Sequence, residues 1–170
     1  RDEETVELAI RAALTGHLVF TTVHTNDAAS GFTRLLNWDM EPFLIASTVK
    51  GILAQRLVRR ICPECRVPHQ ATEQEKIQVG AEPSEELINY IGEGCLACRN
   101  TGYKGRIGIY ELLPMDQTIS ELVLNNSPDY RIREMGMENG MITLSQDGLI
   151  KIRRGDTTIS EVYETLGSTE

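Results

Sequence analysis

"CPECRVPHQ" (Cys62–Gln70) and "GCLACRNTGYKGRIGIYE" (Gly94–Glu111) hold all four cysteines of this 170-residue chain. Each pair is a C-x-x-C, and residues 66–94 lie between the pairs. Two such knuckles, brought together from distant points, can present four thiolates to one tetrahedral Zn²⁺. The enclosed segment needs such a clamp. From Cys62 to about Gly105 large apolar side chains are scarce, and Pro, Gly, Glu and Cys take their place. Short helices in such a stretch are not stable alone. Metal binding would supply the missing folding free energy.

Other uses of the cysteines fit less well. A thioredoxin-like redox site needs one C-x-x-C in its own surroundings. Structural disulfides belong to oxidising compartments. The charged start "RDEET" carries no secretory signal, and no apolar run approaches a membrane span, so a cytoplasmic setting is expected. Four cysteines leave no open coordination position, so the zinc is read as structural rather than catalytic. His69 is read as a surface histidine. A nucleic-acid-binding zinc ribbon is disfavoured by the net charge of −8 and by the acidic segment between the knuckles. Arg56, Arg59 and Arg60 read as a solvated basic face, with contact to a neighbour's phosphates as the alternative.

Outside this segment the pattern is α/β. Val6, Ala9, Ile10, Ala13 and Leu14 form one helical stripe that Gly16 ends. "LVFTTV" (18–23) reads as a buried strand. Thr25, Asn26 or Asp27 can cap a second helix carrying Phe32, Leu35 and Leu36. Pro42 opens a third, and residues 55–61 form a short strand. Between the knuckles, Thr72 with Glu75 makes a capping box, and Ser84 is expected to cap a helix over "EELINYI". After Glu111 four amphipathic helices are expected, enough for a small bundle. Thr118, Ser127–Pro128 and Thr158 mark three of their starts, and Gly140 and Gly155 mark two ends. Leu144, Gly148 and Ile152 share a face in the third of these helices.

His17 and His24 bracket the expected strand, at positions where open α/β sheets place ligand-binding groups. A neutral histidine there can donate to a phosphate oxygen or position a water.

"RDEETVELAIRAALTGHLVFTTVHTNDAA", "EPFLIASTVKGILAQRLVRRICPEC" and "GCLACRNTGYKGRIGIYELLPMD" together resemble the type II secretion and type IV pilus assembly ATPases. So does "IREMGMENGMITLSQDGLIKIRRGDTTISEV", and the motifs follow the family's order. The resemblance implies the C-terminal part of a RecA-like P-loop ATPase domain (1–61), a tetracysteine zinc subdomain (62–105) and a mainly helical C-terminal region (106–170). It implies Cys62, Cys65, Cys95 and Cys98 as zinc ligands, and His17 and His24 as a histidine box near the nucleotide. Arg1 and Asp2 match residues just beyond the family's Walker B motif. The parent would be a cytoplasmic hexamer, peripheral at the inner membrane through platform proteins, driving secretion or pilus assembly with ATP and Mg²⁺.

No G-x-x-x-x-G-K-[ST] occurs in the chain, so the loop that would cradle phosphates is missing. The glycines of "GYKGRIG" read as turns. The expectation is a C-terminal fragment, inactive alone. The alternative is a stand-alone zinc-stabilised protein-binding module without catalysis.

Overall fold

The computed structural model describes residues 3–167. Its elements run α1 (Glu3–Leu14), α2 (Ala29–Leu36), α3 (Pro42–Thr48), β1 (Gly51–Ile61), β2 (Arg66–Gln70), α4 (Glu73–Gln78), β3 (Ile88–Gly92), β4 (Tyr103–Pro114), α5 (Gln117–Leu124), α6 (Asp129–Glu138), α7 (Leu144–Arg154) and α8 (Ile159–Leu166). β1 pairs with β4, and β2 with β3. No helix among the described residues is long and apolar enough to cross a membrane.

The chain groups into two compact units. One takes residues up to Ala54 together with Glu111–Ile142; the other takes Gln55–Tyr110 together with residues from Thr143 on. The segments 1–61, 62–105 and 106–170 named above divide the chain by composition and resemblance instead.

In the first unit α3 packs on α1, α2 and α5, and α6 packs on α2 and α5. Val6 and Ile10 of the α1 stripe are buried, with Phe32, Ile45, Ile119, Val123 and Ile132. Pro42 opens α3, where a missing N–H leaves no intrahelical bond unmade. Asp116 caps α5: its Oδ1 accepts the Ile119 N–H at 2.8 Å and the Thr118 hydroxyl at 2.8 Å. The sequence pattern points to Thr118 for that role. An aspartate two residues earlier wins because a carboxyl group accepts from both.

In the second unit α7 packs on α8 and on β3. Leu87, Ile109, Ile152 and Ile159 are buried there. The capping box of Thr72 and Glu75 starts α4, Thr158 caps α8, and Gly155 closes α7 in left-handed backbone. The four helices after Glu111 all form, with α5 and α6 in the first unit and α7 and α8 in the second.

The glycines of "GYKGRIG" do not form a run of turns, because from Tyr103 on they lie in strand β4, and the strand expected over 55–61 begins at Gly51. Two further elements are different in the structure. "EELINYI" forms no helix beyond Ser84. Its second half is β3, antiparallel to β2 from Arg66 opposite Gly92 to Gln70 opposite Ile88. A nearby strand with unpaired backbone groups outweighs a local cap. The apolar run 18–23 forms neither a strand nor part of a core. It has no regular secondary structure, with Leu18 79% and Phe20 89% exposed. A strand requires a partner for its N–H and C=O groups, and no described strand pairs with this one.

Candidate metal centre and histidine segment

The first knuckle leaves the end of β1, and the second follows β3. A close approach of Gly92 and Gly102 joins them. A Cβ on Gly92 would lie 2.1 Å from the Gly102 carbonyl oxygen, so no side chain fits. The Gly102 carbonyl accepts the Cys62 N–H at 2.9 Å, and its own N–H donates to Cys98 Sγ at 3.3 Å. One residue therefore holds both knuckles.

The four sulfurs lie within 4.8 Å of one another. Cys62 and Cys95 are 3.8 Å apart, Cys65 and Cys98 3.9 Å, and Cys95 and Cys98 3.7 Å. A tetrahedron with Zn–S bonds of about 2.3 Å has edges of about 3.8 Å. Disulfides require sulfurs at about 2.05 Å, and all four cysteines are free. The donor set and its spacing fit one tetrahedral, thiophilic ion such as zinc. His69 is not part of the cluster; its Nε2 lies 3.5 Å from Glu75 Oε2.

Backbone donors prepare the sulfurs for negative charge. Burial pushes the Cys65 thiol up to about 12, against the opposing Gly94 N–H. Burial works the same way on Cys98, but there the Cys95 and Gly102 N–H groups outweigh it and lower the thiol to about 6. Two backbone N–H groups, of Cys95 and Gly102, thus converge on the Cys98 sulfur.

Arg59, just before the first knuckle, pairs with buried Glu161 of α8. Its guanidinium also lies 4.2 Å from the centre of the Tyr103 ring. Arg56 donates to the Gln55 carbonyl at 3.0 Å. Arg59 is therefore a structural tether, although it is itself exposed, as Arg60 is.

His17 and His24 lie at the two ends of the 18–23 segment, which has no regular structure, and both are exposed. His17 Nδ1 is 3.0 Å from Thr15 Oγ1. Arg1 and Asp2 lie outside the described residues.

One buried group escaped sequence reading. Glu111 is 1% exposed, and its Oε1 accepts the Ala28 N–H at 2.8 Å. The signal was present in the alternation of β4, where Ile109, Glu111 and Leu113 occupy every second position and are all buried.

The family model of the type II/IV secretion system protein matches residues 1–164. The chain is 42% identical over 162 residues to the type II secretion system ATPase E of Vibrio cholerae, covering 95% of this chain and 32% of that protein. It is 44% identical over 164 residues to the type IV pilus assembly ATPase PilB of Thermus thermophilus, covering 95% and 18%. The fold is similar to that of the pilus retraction motor PilT with bound ADP, at TM-score 0.62 and 25% identity, covering 99% of this chain and 37% of that one. The chain belongs to the type II/IV secretion system protein family. It spans about a third or less of the relatives it matches.

Proposed function

We propose that the chain is the C-terminal portion of an ATPase that drives type II secretion or type IV pilus assembly. The observation that carries this reading is the family match over residues 1–164, which takes in the histidine segment and both knuckles. Residues 1–61 then belong to a RecA-like domain. The exposed run 18–23 is a strand of its sheet, paired with strands from the remainder of the protein. That pairing would bury Leu18 and Phe20 and place His17 and His24 near the γ-phosphate of ATP bound with Mg²⁺. Residues 62–105 are the zinc subdomain, and 106–170 the helical C-terminal region. The whole protein works as a cytoplasmic hexamer docked on inner-membrane platform proteins.

In this reading Cys62, Cys65, Cys95 and Cys98 hold a structural Zn²⁺, whose contribution is rigidity. The chain's own residues do the rest. Gly102 locks the knuckles together, and Arg59 with Glu161 fastens the strand before them to α8. A segment pinned in this way can pass on a displacement produced when nucleotide favours one arrangement of neighbouring subunits.

ATP turnover by the isolated 170-residue chain tests the assignment. No steady hydrolysis is expected, because the phosphate-cradling loop is not among these residues. Hydrolysis above a blank that disappears on His24→Ala would overturn it.

A further inference from the structure

We infer that Glu111 is a positioning residue for the loop that carries His24, holding the start of α2 from a distant strand; this rests on the histidine assignment above. Asp27, one of the caps expected for α2, accepts the Ser30 N–H, and the Ala28 N–H is left to be met from elsewhere. The N-cap of α2 is Ala28, which has no side-chain cap, and no acidic residue occupies its first turn. Ala28 is completely buried, so water cannot satisfy its N–H. Glu111 supplies the acceptor, and its carboxyl group faces the helix end where the backbone dipoles favour an acceptor. The preceding residue is tied as well. Asp27 Oδ1 accepts the Ser30 N–H at 2.7 Å, and Asp27 Oδ2 lies 3.9 Å from Arg133 Nη1 of α6.

The chain is therefore fixed at Asp27 and Ala28, whereas residues 17–25 have no regular structure. His24 stands three residues before the first of these anchors. What determines its direction is the geometry of the anchor, and Glu111 is the part of that anchor contributed by β4. Chemistry at a nucleotide tolerates little misplacement. A shift of about 1 Å can reduce turnover about 100-fold.

Steady-state ATP hydrolysis by the full-length protein, with zinc content as a folding control, tests the inference. Glu111→Met keeps the volume and removes the acceptor. It should lower kcat about tenfold or more with KM for ATP little changed. Glu111→Gln keeps an acceptor oxygen and should stay within about threefold of the parent. If Glu111 acts through His24, the double variant His24→Ala/Glu111→Met should be no slower than His24→Ala alone. Multiplicative losses, or a Glu111→Met protein with normal kcat beside an impaired His24→Ala, would overturn the inference and leave the histidine reading standing. A fully active His24→Ala would sink the histidine reading itself, and the inference with it. Should Glu111→Met not fold, amide exchange of the unsubstituted protein decides. The Ala28 amide should be the slowest among residues 24–28, and rapid exchange there would overturn the inference.

Discussion

Glu161 accepts the backbone N–H of Arg59 at 2.9 Å while also accepting from the Arg59 guanidinium at Nε, 2.7 Å away. The two residues are 102 positions apart. Thr157 adds a bond from its hydroxyl to the Arg59 carbonyl at 2.8 Å, and Tyr103 donates to or accepts from Thr158 at 2.9 Å. The start of α8 is thus stitched to the strands that lead into the cysteine centre. Removing the carboxyl group would leave the Arg59 N–H without its acceptor. Glu161→Ala should destabilise by about 1–3 kcal/mol. Urea unfolding should show a lower midpoint with an unchanged slope.

The same carboxylate sets an acid limit. Burial works to raise the Glu161 carboxyl, but the bonds from Arg59 outweigh it and hold it below its ordinary value of 4.5. A depressed folded value means the unfolded chain binds the proton first. The contribution is complete above about pH 4.5 and is lost as pH falls through the folded value. Stability of the parent should fall with acid across that window. Glu161→Gln should show a shallower fall, measured by urea midpoints between pH 6 and pH 3.

Asp116 offers a local test in the other unit. It caps α5 and also accepts from Asn139 Nδ2 at 2.8 Å, so it joins α5 to the end of α6. Asp116→Ala should cost about 0.5–2 kcal/mol. Asp116→Asn, which keeps an acceptor, should recover most of the loss. Thermal unfolding of both variants checks the order.

Features carried by short-range chemistry were legible in the sequence. The Thr72–Glu75 box, the Pro42 start and the Gly155 stop each act within one helical turn, and each is found where its residues placed it. The four cysteines were legible because spacing and donor type together admit few alternatives. Features that depend on distant partners were not. Nothing near Ser84 announces that β2 will recruit Ile88–Gly92. The run 18–23 has strand composition, yet composition provides no partner. The alternation of β4 accounts for the burial of Glu111, but the donor it meets is 83 positions away.

Metal removal should separate the two units experimentally. The segment between the knuckles has little core of its own, and its order depends on the sulfurs being held. Protein purified under reducing conditions should carry about one zinc per chain. Chelation should make residues 66–101 the first site of proteolysis, while amides of α2, α5 and α6 keep their protection. Cys95→Ser should do the same without chelator. Unchanged zinc content and unchanged protease resistance in that variant would contradict a four-thiolate site.

A finer test leaves every ligand in place. Gly92 and Gly102 approach so closely that a Cβ on Gly102 would lie 2.4 Å from the Gly92 carbonyl oxygen, and Gly102 has φ +77. Gly92→Ala faces the reciprocal backbone clash, without the conformational strain. Backbone cannot give way as a flexible side chain can, so each substitution should force the knuckles apart at a cost of about 1–3 kcal/mol or more. If the glycine contact sets the sulfur spacing, Gly92→Ala should weaken zinc affinity although all four cysteines remain. Competition with a chromogenic chelator measures this directly. An affinity equal to that of the parent would mean that the ion, rather than the glycine contact, brings the two pairs together.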